Sequence, residues 1–278
     1  MPDEANDVLV DVSRQVASKC YGKYRGFVTD NSDSEKRGRV KLRVPSVLGT
    51  AETDWALPCF PFGGAADHGF FMVPEVGAQV WVEFEEGDPS LPIWTGTFWQ
   101  QSSDVPSEVT AQNRPSTRLI KTVSGHLFQF DDQSGSEKFV LRHPAGTSAV
   151  IDENGIVTLT DAGGDTVTLD AKNGAIIVED ANGNKIELAA AGITLTDANN
   201  NKLEMAASGI TVETSAQVVI KGSMVQLGGS GGEPVIKGTS FMTAFNTHIH
   251  TCTGPGAPSS PPVVPMLPAQ LSMKVMTA

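Results

Sequence analysis

Between residues 117 and 221 apolar side chains alternate with polar ones at a spacing of two. Val157 and Leu159 are followed by Val167 and Leu169, Ile176 and Val178, and Ile186 and Leu188. The series continues through Ile193 and Leu195, Leu203 and Met205, Ile210 and Val212, and Val218 and Ile220. Alternation of this kind puts the apolar set on one face of each strand and the intervening Thr, Glu, Lys and Asp on the other. Reversals fall at Asn154-Gly155, Gly163-Gly164, Asn173-Gly174, Asn182-Gly183, Gly192, 199–201 and Gly209. Gly and Asn serve there because a tight reversal often needs φ > 0. The octapeptide beginning at Gly155 is echoed at Gly174, Gly192 and Gly209, at spacings of 19, 18 and 17 residues. A short, nearly constant period of strands predicts a fibrous or solenoid β structure. One ribbon has no second layer to cover its apolar face, and a stable domain needs one. Copies of the same ribbon supply it most simply, so the pattern predicts a homotrimer wound about a dry core with few open sheet edges.

Ahead of the ladder the pattern changes. Val8, Val12 and Val16, widened by Leu9, recur at helical spacing and predict a short amphipathic arm over 1–20, suited to docking on a partner. Residues 21–100 read as a compact antiparallel barrel. Strands are expected at Tyr21–Thr29, Arg39–Val44, Trp55–Phe62, Gln79–Glu85 and Leu91–Trp99, with turns at 31–38 and 86–89. Five strands in this length suit a Greek-key barrel of the OB type. All four tryptophans lie between 55 and 99, which sets this module apart from the aliphatic ladder. Val80, Val82 and Phe84 would face the barrel core, leaving Trp81 outward as a candidate intersubunit contact.

The barrel carries a resemblance. The runs 22–31 (Gly-Lys-Tyr-Arg-Gly-Phe-Val-Thr-Asp-Asn), 38–45 (Gly-Arg-Val-Lys-Leu-Arg-Val-Pro), Trp55, 73–88 (Val-Pro-Glu-Val-Gly through Glu-Gly-Asp) and 91–96 (Leu-Pro-Ile-Trp-Thr-Gly) resemble the phage baseplate assembly protein V family. That family includes the central spikes of contractile phage tails and the VgrG proteins of type VI secretion. The resemblance implies an all-β protein: an OB-fold collar over 21–100, a linker over 101–116, a trimeric intertwined β-helical needle over 117–245 and a tip over 246–278. It implies a structural spike that sits below the tail tube and pierces a target cell envelope when the sheath contracts. Some relatives insert a lysozyme domain between barrel and needle; the linker here is too short for one. VgrG proteins also carry a long N-terminal hub, so the hub is expected as a separate polypeptide, with the arm, through Val8 and Val12, as its contact.

His248 and His250 stand at i and i+2, and on a strand they would point the same way. A threefold axis would turn two imidazoles into six, an octahedral set suited to iron, nickel or cobalt. Spikes of the resembled family hold iron through such a pair near the apex, so the resemblance implies one iron ion per trimer. The prolines between 255 and 268 forbid helix and favour extended chain, which could close the point or dock a tip protein or effector.

Charge and cysteines narrow the field. The net charge is −12, which opposes binding to a nucleic-acid backbone. The cations clustered between Lys23 and Arg43 read as solvent-facing strand positions. Cys20, Cys59 and Cys252 form no spacing that suggests a disulfide framework or a zinc site. The N-terminus lacks a basic n-region, so the reading is cytoplasmic assembly without a secretory signal and work at a baseplate. His68, His126 and His143 assemble no nucleophilic triad. The alternative is a tail-spike depolymerase acting on surface polysaccharide, which needs carboxylates across a groove; Asp161, Asp180 and Asp197 fall instead at matching turns. A calcium-stabilised repeat over 161–165 and 180–184 is a further alternative, but the full nonapeptide signature is missing.

Overall fold

The structure is a computed structural model. It describes residues 18–110, 115–225, 238–249 and 265–267, with Val10, Val12, Ser13, Val16 and Ile236. The chain divides into two units, residues 1–213 and 214–278.

The first unit opens with the barrel. Its strands are β1 (Tyr24–Asp30), β2 (Lys41–Arg43), β3 (Leu57–Pro58), β4 (Gln79–Phe84) and β5 (Pro92–Thr97), in the order β2-β1-β4-β5-β3. β3 runs parallel to β5, with Leu57 opposite Ile93. Just before it, Ala56 bridges Val40, and each backbone N–H donates to the other's carbonyl, at 2.8 and 3.2 Å. Thr53 finishes the closure: its N–H donates to the Leu42 carbonyl, and its hydroxyl accepts the Leu42 N–H at 3.0 Å. The sheet therefore returns on itself, as an OB barrel must to hide its edges. β3 is only two residues long because prolines interrupt the run expected over 55–62.

Alternation fills the interior with Val28, Val40, Leu42, Val44, Ala56, Val80, Val82, Phe84 and Trp94. Trp94 satisfies its indole N–H on the Gly38 carbonyl at 3.1 Å, which permits its burial. The polar turn after β1 is organised by Asp33, whose carboxylate accepts the N–H groups of Glu35 and Arg37 and pairs with Arg39 at 2.7 Å. The Arg39 guanidinium, aided by these backbone donors, holds the Asp33 carboxyl far below the usual carboxylate range.

The segment expected to be a bare linker is tied at both ends. Gln79 donates to Asp104 at 3.4 Å, on the barrel side. Glu108, in the short helix Ser107–Thr110, pairs with Lys121 at 2.9 Å and Arg142 at 2.6 Å, on the ladder side.

The ladder is one antiparallel sheet of eleven strands in strict sequence order. They are β6 (Thr117–Lys121), β7 (Leu127–Asp131), β8 (Lys138–Arg142), β9 (Ser148–Ile151), β10 (Val157–Thr160), β11 (Thr166–Asp170), β12 (Ala175–Glu179), β13 (Lys185–Ala189), β14 (Gly192–Thr196), β15 (Lys202–Ala206) and β16 (Gly209–Glu213). The predicted alternation is observed in register. Leu159 lies opposite Val167, Leu169 opposite Ile176, Ile186 opposite Leu195 and Leu203 opposite Val212. Near the start of the ladder, Phe128, Phe130 and Phe139 crowd the same face, with ring centroids 5.0–5.3 Å apart.

Strands end at β16 among the described residues. Val218 and Ile220, whose spacing predicts one more, lie in irregular chain. A strand forms only against a pairing neighbour, and 214–225 contains no turn that would bring one back. In the second unit, Gly238–Thr247 is helical, within the stretch expected to belong to the needle. Phe241 and Phe245 recur at i and i+4, and the Thr243 and Thr247 hydroxyls donate to the carbonyls four residues back. Asn246 reads both backbone groups of Met266, donating to its carbonyl at 3.0 Å and accepting its N–H at 2.8 Å.

Candidate functional site

The apolar face of the ladder is the dominant feature of the molecule. Its burial runs opposite to its hydropathy. Along β11 and β13 the apolar side chains Val167, Leu169, Ile186 and Leu188 are exposed, while the Thr, Lys, Glu and Asp between them are half-buried. Leu159, Leu169 and Ile176 are 47%, 46% and 45% exposed. Side chains from β6 to β12, including Ile120, Phe128, Leu141, Leu159, Val167 and Val178, line one open apolar trough of about 790 Å³. Fourteen large apolar side chains on this face, from Ile120 to Val212, are exposed among the described residues. Each has about half of its burial still to gain, roughly 1 kcal/mol apiece. The face thus offers on the order of 10 kcal/mol per chain, enough to offset the cost of association.

The polar face is self-contained. Lys185 pairs with Glu187 at 2.7 Å and Lys202 with Glu204, each two residues along one strand. These pairs are part-exposed and contribute little stability.

One edge of the ladder is a stack of five-residue turns at 161–165, 180–184 and 197–201. Each opens on an aspartate whose Oδ1 accepts two N–H groups within its own turn: Gly163 and Asp165 for Asp161, Asn182 and Asn184 for Asp180, Asn199 and Asn201 for Asp197. The last residue of one turn then accepts an N–H from the next: Ala181 donates to Asp165 at 2.9 Å and Ala198 to Asn184 at 3.1 Å. Asn184, followed by the backbone donors, lowers the Asp180 carboxyl to about 2. These carboxylates serve the turns, so they are not arranged across a groove for glycoside chemistry. The pentapeptide Asp-Ala-x-x-Asp/Asn was the available sequence signal. The cross-turn bonds could not be read from it.

Acid should loosen this arrangement. Lys121, then Arg142, brings Glu108 down to about 2. A carboxyl whose folded pKa lies below its unfolded value of about 4.3 adds stability above that value and loses it as pH falls. Stability from Glu108 and Asp180 should therefore drain away between about pH 4 and about pH 2. Glu108→Gln should cost about 1–2 kcal/mol at pH 7 and flatten that part of the profile, read by urea unfolding at a series of pH values.

The other sequence-derived candidates are scattered. Trp81 is half-buried, its ring 4.8 Å from Phe98, with the Arg25 guanidinium 5.9 Å from its centroid. Val12 is helical and 51% exposed; Val8 lies outside the described residues. His248 does not lie on a strand: it follows the helix, its Nδ1 2.5 Å from the Phe245 carbonyl. That contact favours the tautomer with its lone pair on Nε2. His250 lies outside the described residues, and no three His, Cys, Asp or Glu side chains converge as a metal site among the described ones.

Residues 24–99 match the family model of the type VI secretion system/phage-baseplate injector OB domain. This places the barrel in the baseplate/VgrG-like spike family. The chain is also similar to two proteins of Vibrio cholerae serotype O1. One is the actin cross-linking toxin VgrG1, 29% identical over 114 residues, covering 38% of this chain and 10% of that protein. The other is the type VI secretion system spike protein VgrG3, 27% identical over 124 residues, covering 42% of this chain and 12% of that protein. The matched stretch thus spans about a tenth of either relative. No described helix of the chain is long and apolar enough to cross a membrane.

Proposed function

We propose that this chain is the central spike of a contractile injection machine, with three copies closing their ladders face to face into a needle. The observation that carries the reading is the inverted burial of the ladder, on a chain whose barrel is an injector OB domain. In this arrangement the apolar trough becomes a dry core and the Thr, Lys and Glu face meets water. The barrel is the collar that joins a separate hub protein, and the latched linker carries load from collar to needle. The needle then passes through the target cell envelope by mechanical force, a role that uses no catalytic group. Assembly in the cytoplasm precedes that work, and the segment beyond the helix is the place for a tip protein or effector. His248 and His250 from three chains would hold one iron ion through ring nitrogens at the apex, where it would staple the three chains together.

Native mass spectrometry of the full chain reads assembly and metal together. The expected species is a trimer with one transition-metal ion that His250→Ala removes. A trimer without metal would keep the spike and discard the histidine knot. A stable monomer at micromolar concentration would overturn the needle.

A further inference from the structure

The outer face of the barrel carries a row of cations set on aromatic rings. Arg25 lies over Trp81 and Phe98, 5.9 and 5.4 Å from their centroids. Arg43 lies 5.6 Å from the Phe27 ring and Lys41 5.3 Å from that of Trp55. Pairing places them together. Phe27 stands opposite Arg43, so Arg25 is the diagonal neighbour of Arg43 across β1 and β2, and Lys41 is two residues along β2. Successive cations of the row are therefore about 7 Å apart.

Among the described residues, ion pairs do not take up their charge. Lys23 pairs with Glu83, Arg37 with Glu35, and Arg39 with Asp33 and Glu35. Arg25, Lys41 and Arg43 close no ion pair among the described residues, although Asp30 stands opposite Lys41 and Glu52 bridges opposite Arg43. A chain of net charge −12 that sets three neighbouring cations on one sheet face, none of them in an ion pair among the described residues, gathers positive charge there. We propose that this face is a docking surface for an extended acidic segment of a partner protein, with the carboxylates of alternate residues seated on Arg25, Arg43 and Lys41.

Spacing favours that occupant. Alternate side chains of an extended strand also repeat at about 7 Å on one side. Single-stranded nucleic acid fits less well. Its bases need free ring faces to stack on, and these ring faces are taken by the chain's own cations. The row is also short, and Asp30, Glu52 and Glu83 flank it, so a long polyanion would run onto like charge. The inference stands on the barrel alone and does not depend on the ladder forming a needle.

The test uses the full chain and a fluorescent eight-residue peptide alternating Glu and Thr, read by anisotropy in low salt. The Glu peptide should bind at least tenfold tighter than its Gln counterpart. Binding should weaken at least tenfold in the triple variant Arg25→Gln, Lys41→Gln, Arg43→Gln and survive in Arg25→Lys, Arg43→Lys. Thermal unfolding of each variant separates lost charge from lost fold. Equal binding of the Glu and Gln peptides, or binding unchanged in a folded triple variant, would overturn the proposal. Tighter binding of an oligothymidine that is lost in the same variant would also overturn it, in favour of a nucleic-acid surface.

Discussion

Leu169→Lys combined with Ile176→Lys is expected to leave the chain monomeric. The two side chains are direct cross-strand partners on the apolar face and are nearly half exposed. In an isolated ladder the lysines would reach water, so the hairpin itself should survive. In a closed trimer the same change buries six ammonium groups. An uncompensated buried charge costs about 3 kcal/mol or more, so the assembly loses on the order of 10 kcal/mol or more. That corresponds to roughly seven orders of magnitude in its dissociation constant. Size-exclusion chromatography with light scattering reads the result. Thr168→Lys, next to Leu169 on the opposite face of β11, is the control and should remain assembled. If both variants assemble alike, the apolar face is not what joins the chains.

The second large effect concerns Gly192, the first residue of β14 after the two-residue turn Ala190-Ala191. Its φ of +142° is one that side chains rarely adopt, and a Cβ there would lie 1.9 Å from the Met205 carbonyl oxygen. That oxygen belongs to the neighbouring strand β15, so it cannot move without breaking the ladder. Gly209 occupies the same position one two-strand repeat later, with φ +130° and nothing within 4 Å of the Cβ site. Gly209→Ala should cost the backbone strain alone, about 1–2 kcal/mol. Gly192→Ala should cost on the order of 3 kcal/mol or more, since strain and clash combine. Thermal melts at one fixed protein concentration compare the two. Equal shifts would mean that β15 yields, and that the close approach does not constrain the ladder.

The ladder was legible because its physics is local. Each strand pairs with its neighbour in sequence, so alternation and turn chemistry together fix which residues share a face, as Leu159, Val167 and Val178 do. The barrel was legible for a related reason: Val80, Val82 and Phe84 alternate cleanly, and its strand positions came out within a few residues. What escaped is what depends on distant residues meeting. Glu108 finds Lys121 and Arg142 only once the linker folds back, and no spacing announces that. The rings of Trp55, Trp81 and Phe27 look like outward hydrophobics until the cations that cover them are placed. Val218 and Ile220 show the converse error. A strand pattern without a returning neighbour has nothing to bond to. Around His248 the pair spacing suggested a strand, but the stretch before it follows the fourfold recurrence of Phe241 and Phe245 and coils into a helix.

The three phenylalanines at the head of the ladder bear on alignment. A repeat of 17–19 residues with interchangeable Leu, Ile and Val offers identical chains several near-equivalent ways to slide past one another by a hairpin. Phe128, Phe130 and Phe139 break that degeneracy, because the later strands present no aromatic ring on this face. A slipped copy would press rings into spaces shaped for Val167 or Val178 and leave voids beside Ala149. In the proposed trimer the bulky end would act as an index mark: it would let a nearly periodic sequence settle in one alignment, with all three points at the same height.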